Sequence, residues 1–154
     1  MAADQGNASA QFNLALMNEG GQSVAKEDTP PIKSLLLIAE QGIAEAQYNL
    51  GQIYRLGLGV PKDYTEALKW YSLAAKQGFA QAQLNLGNMY YFGVGVLQNN
   101  IKAHMWYNIA STNGDKDASK WRYETAAKMT SADISKAQTI TKECMNSNYT
   151  NCGW

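Results

Sequence analysis

AEQGIAEAQYNLGQIYRLGLGV (39–60) and AKQGFAQAQLNLGNMYYFGVGV (75–96) decide the fold of this 154-residue chain. Gln41, Gly42, Ala44, Ala46, Gln47, Asn49, Leu50, Gly51, Tyr54, Gly57, Gly59 and Val60 recur as Gln77, Gly78, Ala80, Ala82, Gln83, Asn85, Leu86, Gly87, Tyr90, Gly93, Gly95 and Val96, each displaced by 36 positions. The next segment keeps that shift, with Ala67, Trp70, Tyr71 and Ala74 becoming Ala103, Trp106, Tyr107 and Ala110. Chance does not produce such agreement at one fixed period, so the chain is a repeat array.

The register extends both ways. ADQGNASAQFNLAL (3–16) matches through Gly6, Ala8, Ala10, Gln11, Asn13 and Leu14, and Gly114 continues the series before the pattern dissolves. Copies are expected at about 3–38, 39–74 and 75–113, followed by a cap over 114–146 and a tail over 147–154, all in one domain.

Each copy reads as two helices. Ala46, Leu50, Ile53 and Tyr54 share one face at helical spacing, and the small residues Ala46 and Gly51 admit a close neighbour. Gly57-x-Gly59 ends that helix. Asp63-x-x-Glu66 opens the next as a capping box. The same reasoning predicts helices near 8–18, 30–41, 44–56, 63–77, 80–92 and 99–113, with Thr29-Pro30 opening the second. Beyond these, DASKWRYETAAKM predicts a helix, and Thr130-x-x-Asp133 caps a last one. That helix is expected to lay Ile134, Ala137, Ile140 and Cys144 or Met145 over the final repeat as a lid, which terminal repeats need.

Composition narrows the function. Thirteen basic and thirteen acidic side chains cancel, and no Lys/Arg cluster compensates, which argues against nucleic acid and anionic membrane as partners. No run approaches the roughly 18 apolar residues of a membrane span. MAADQGNASAQFNLAL lacks the pattern of a signal peptide, and it opens inside a repeat unit, as expected of a chain cut from a longer precursor.

Cys144 and Cys152 are the only cysteines, separated by seven residues rich in Asn and Ser. A disulfide there would constrain the unfolded chain by about 2–3 kcal/mol and imply an oxidising compartment. Free thiols are the alternative. With no neighbouring His they make a poor zinc site.

No catalytic constellation emerges. His104, the only histidine, occupies the repeat position of Leu68 and Ile32, and a position filled elsewhere by Leu and Ile is structural. A Ser-His-Asp or zinc-His site is hard to build around one histidine. Gly57-Leu58-Gly59 and Gly93-Val94-Gly95 follow no strand and precede no Gly-Lys-Ser/Thr, so they are turns rather than phosphate loops. Trp70 and Trp106, at one repeat position, read as packing between repeats. We expect neither enzyme activity nor a cofactor or metal.

AEAQYNLGQIYRLGLGVPKDYTEALKWYSLAAKQG (44–78) resembles the Sel-1-like repeat, a relative of the tetratricopeptide repeat. Ala-x-x-x-Leu-Gly-x-x-Tyr, Gly-x-Gly-Val and Asp/Asn before Ala-x-x-Trp-Tyr-x-x-Ala-Ala carry the likeness over about residues 2–118. MTSADISKAQTITKEC resembles the C-terminal end of bacterial members. The first copy departs from the pattern, with Gly21-Gln22-Ser23-Val24 in the loop and Ser34 at the tryptophan position.

The resemblance implies an all-α fold, a right-handed α-α superhelical solenoid of helix-turn-helix repeats with a C-terminal capping helix. It also implies a scaffold for protein complexes, of the kind found in envelope, secretion or degradation pathways. The β-lactam link of members with cysteines in each repeat does not carry over. In tetratricopeptide repeats the first helix lines a concave groove. Varying positions there are Phe12 and Leu16, then Glu45, Tyr48, Gln52 and Arg55, then Gln81, Leu84, Asn88, Tyr91 and Phe92. Aromatic anchors among amides suit a polypeptide. The expectation is a monomeric protein- or peptide-binding scaffold, periplasmic or secreted, with a cytoplasmic setting as the alternative. The competing function is an envelope hydrolase or a binder of peptidoglycan-like polymer.

Overall fold

A computed structural model describes residues 30–154. The helix expected near 8–18, the first-copy loop at 21–24, Phe12 and Leu16 lie outside the described residues. Among those described there are seven helices and no strand: α1 (Pro30–Glu40), α2 (Ala44–Leu56), α3 (Tyr64–Ala75), α4 (Ala80–Phe92), α5 (Asn100–Thr112), α6 (Ala118–Ala126) and α7 (Ser131–Asn146). The class is all-α, built from helix-turn-helix repeats. The chain forms two compact units, divided between Trp70 and Tyr71.

In the first unit α1 packs on α2. Ile32, Leu35 and Ala39 face inward from α1, and Ala46, Leu50, Ile53 and Tyr54 from α2. These are the helical spacings read from the sequence. Gly57 ends α2 at φ 71°, with its N–H on the Ile53 carbonyl. Gly93 ends α4 at φ 67° on the Met89 carbonyl. Both need the left-handed backbone that glycine adopts without a Cβ penalty.

The capping box at Asp63 is half formed. Asp63 Oδ1 accepts from the Thr65 and Glu66 amides at 2.8 and 3.0 Å. The return bond from Glu66 is absent, because the Asp63 N–H already donates to the Tyr54 carbonyl at 2.9 Å and Glu66 pairs with Lys69 at 3.3 Å. The next copy repeats the device: Asn99 Oδ1 accepts from the Lys102 amide, and the Asn99 N–H donates to Tyr90.

A second recurring bond uses a buried amide. Gln47 Nε2 donates to the Ala39 carbonyl at 3.1 Å, and Gln83 Nε2 to the Ala75 carbonyl at 3.0 Å. Each adds a second donor to a carbonyl in the last turn of the preceding helix, which also accepts from the Gly42 or Gly78 N–H at 3.0 Å.

In the second unit α5 is the hub, packing against α4, α6 and α7. Close approach of α4 depends on Gly87, where an added Cβ would lie 2.5 Å from the Tyr107 ring. Met105, Trp106, Tyr107, Ile109 and Ala110 are all buried on α5.

The register of the repeats persists at three positions around the start of the cap. Ala118 falls 36 positions after Ala82, and Ser111 and Ser119 fall 36 after Ala75 and Gln83. Ser111 and Ser119 join hydroxyl to hydroxyl at 2.6 Å, where the earlier copy joins a carbonyl to an amide. The likeness fades because Met129-Thr130-Ser131-Ala132 replaces the Gly-x-Gly-Val loop, so α7 starts at Ser131, five residues earlier in the register than α5. Thr130 caps it as expected, accepting from the Asp133 amide at 3.1 Å.

The buried line of α7 differs from the expected one. Ala137, Thr141 and Cys144 are buried, while Ile134, Ile140 and Met145 are only partly covered. Thr141 tolerates this because its hydroxyl donates to the Ala137 carbonyl at 2.8 Å.

Candidate functional site

The variable positions of the first helices fall into one row in each unit. On α2, Tyr48, Gln52 and Arg55 are partly exposed and Glu45 is exposed. Helical spacing brings them together: Gln52 Nε2 donates to the Tyr48 hydroxyl at 3.0 Å, and Arg55 Nε to Gln52 Oε1 at 3.0 Å. The row is therefore a pre-ordered strip of ring, amide and guanidinium, and a partner binding there would order few further rotamers.

On α4 the row divides. Gln81 is exposed and Leu84 partly covered. Asn88 accepts from the Tyr107 hydroxyl at 2.9 Å, so its side-chain oxygen is already used. Burial pushes the Tyr107 phenol well above its usual range, reinforced by the neighbouring Tyr91 and Glu124.

Tyr91 corrects the expectation of a groove-lining ring. It is only 7% exposed, packed against Tyr107 and Trp121 with ring centroids 6.4 and 5.8 Å away. Its hydroxyl accepts from Lys128. Phe92 is the exposed member of the row at 58%. It stands edge-on to Tyr91 at 4.8 Å and to Trp121 at 5.8 Å, so its ring has a fixed pose although it faces solvent.

Sequence reading assigned Trp121, Arg122 and Lys128 to the cap and missed their place in this cluster. Trp121 stacks on Tyr107 at 6.2 Å, and Arg122 Nη1 donates to Asn108 Oδ1 at 2.7 Å. The one sequence signal for it is Ala118, which continues the Ala46–Ala82 series at the start of α6. Tyr123 lies beyond Trp121, largely exposed.

His104 is buried at 5% exposure, and its Nδ1 has no hydrogen-bond partner. Its pKa lies below the ordinary value because of burial first and the Arg122 charge second. A neutral, buried imidazole in a Leu/Ile position is a packing residue. Among the described residues, no three His, Cys, Asp or Glu side chains gather as a metal would need. No described helix is long and apolar enough to cross a membrane.

Cys144 and Cys152 form a disulfide, and both are buried. It ties the end of α7 to the tail rather than joining any part of either row.

Comparison with known proteins follows the repeats closely. The family described as Sel1 repeat matches residues 8–30, 44–79 and 80–115. The structure of a protective antigen present in uropathogenic Escherichia coli strains, displaying an SLR fold, is similar at 32% identity and a TM-score of 0.78. That match covers 96% of this chain and 32% of the antigen, so the chain spans about a third of its length. A Sel1 repeat protein from Oxalobacter formigenes is similar at 38% identity and a TM-score of 0.62, covering 79% of this chain and 92% of that one. No curated protein matches.

Proposed function

Because this chain belongs to the Sel1 repeat family, we propose that it is a scaffold that holds a polypeptide partner on the first-helix row of each unit, α2 in one and α4 in the other. Sel1 repeats are in general protein–protein interaction scaffolds, and the family is typically non-catalytic. The observation that carries the finer reading is the Tyr48–Gln52–Arg55 strip. Its side chains are bonded to one another while remaining partly exposed. An aromatic ring beside amide and guanidinium donors suits an extended peptide, whose carbonyls need donors and whose side chains need an apolar anchor. Phe92, fixed by its neighbours yet facing solvent, would supply a second anchor. The buried disulfide supports a periplasmic or secreted setting.

The test is a pull-down from the source lysate with wild type and a Tyr48→Ala/Gln52→Ala/Phe92→Ala variant of equal helical circular dichroism. The proposal expects a partner retained by wild type and lost from the variant. Equal recovery by both would refute it.

A further inference from the structure

The segment from Ser147 to Trp154 leaves α7 and turns back onto the repeats, where the sequence suggested a polar stretch closed by a Cys144–Cys152 disulfide but no contact with the repeats. Five contacts hold it. Tyr149 packs beside Gly78, where an added Cβ would meet its ring at 3.6 Å. The Tyr149 hydroxyl bonds Asn113, whose Nδ2 also donates to Gln83 Oε1 at 2.8 Å. Trp154 covers Trp106 with ring centroids 5.0 Å apart, and Lys76 Nζ lies 4.5 Å over the outer ring. Lys102 Nζ donates to the Gly153 carbonyl at 2.6 Å and sits 5.1 Å over Tyr90.

The backbone of this segment is conformationally costly. Asn148 and Tyr149 both have positive φ, 52° and 64°, in succession. Asparagine visits that region readily, but a ring-bearing residue does so at a cost. Most of the anchoring contacts are exposed or partly exposed, so solvent competes with them. Only the Cys144–Cys152 bond is fully withdrawn from water. It shortens the path over which Tyr149 and Trp154 must find their sites, which raises their effective concentration.

We propose that residues 147–154 form a strap locked by the Cys144–Cys152 disulfide, so that the redox state of this pair sets whether Trp106 is covered. Opening takes two electrons. A dithiol reductant breaks the S–S bond, leaves two thiols on the protein, and is itself oxidised to its disulfide. The strained turn then relaxes, Trp154 leaves Trp106, and the Trp106 indole is presented to solvent. Because both sulfurs are buried, reduction must wait for a transient opening and is slow in the native protein.

Hydrogen–deuterium exchange followed by mass spectrometry tests this on the full chain. Three states are compared: oxidised wild type, wild type reduced with dithiothreitol with thiol release verified, and a Cys144→Ser/Cys152→Ser variant. Exchange over 147–154 is expected to accelerate at least tenfold in both open states, with α4 and α5 changing less than twofold. A Trp70→Phe/Trp121→Phe/Trp154→Phe companion leaves Trp106 as the one indole of the sequence: its fluorescence should become more accessible to iodide on reduction as Trp106 is uncovered. Unchanged exchange of 147–154 in the open states would overturn the proposal. So would equal acceleration or loss of α4 and α5, since the bond would then clamp the fold rather than the strap.

Discussion

Gln83 donates through its buried side-chain amide to the carbonyl of Ala75 at 3.0 Å, and Gln47 makes the same bond to Ala39 one repeat earlier. A fixed amide at a fixed period is thus a hydrogen-bonding part of the repeat. It closes the end of one helix with a side chain of the next. Gln83→Leu removes its bond to the Ala75 carbonyl, which keeps the Gly78 N–H, and the acceptor of an Asn113 N–H, and should cost about 1–3 kcal/mol relative to wild type. Urea unfolding midpoints at unchanged m-value measure the difference.

Gly87→Ala places a methyl 2.5 Å from the Tyr107 ring. That ring is buried and held by Asn88, so it cannot swing aside cheaply. A loss of about 2 kcal/mol is expected, and a Gly87→Ala/Tyr107→Leu double variant should lose less than the sum of its parts. Strict additivity in a double-mutant cycle would contradict the contact.

His104 gives a pH signature. Its folded pKa is depressed, by burial and then by Arg122, so the unfolded chain binds the proton more readily. Stability from this group is therefore complete above the ordinary value of 6.5 and declines as pH falls through that value toward the folded pKa. His104→Leu removes the decline and the unpartnered Nδ1, adding about 1 kcal/mol at pH 7. Thermal melts of both proteins from pH 8 to 5 check it: the gap should widen on acidification.

Tyr91 and Phe92, adjacent in sequence, should behave oppositely. Tyr91→Ala empties a buried position and should cost about 3 kcal/mol. Phe92→Ala should cost about 1 kcal/mol or less and act on partner binding instead. Chemical unfolding of the two variants separates structure from surface.

The repeats were legible because a solenoid imposes its packing on every copy, so Leu50 and Leu86, or Gly57 and Gly93, announce their roles by recurring. Helix limits over α2 and α4 follow from that spacing and from the terminal glycines. The partner row was less legible. A position that varies between copies can be exposed, as Phe92 is, or buried against something used once, as Tyr91 is against Trp121 and Lys128. Periodicity cannot separate these. The register fades in the cap because Met129-Thr130-Ser131-Ala132 stands where the loop pattern would fall and α7 begins early, although Gly114 and Ala118 keep the count. The strap depends on long-range contacts such as Trp154 on Trp106, which no local pattern encodes.

Site-specific photo-crosslinking asks whether the first-helix rows hold a polypeptide. A benzophenone side chain is placed at Tyr48 or Phe92 in the rows, and at Leu73 or Thr139 as exposed controls. Adducts with a polypeptide are expected from position 48 and from position 92, and none of those species from 73 or 139. Adducts of equal yield from all four positions, or none from the rows while the controls react, would contradict a polypeptide held on these rows.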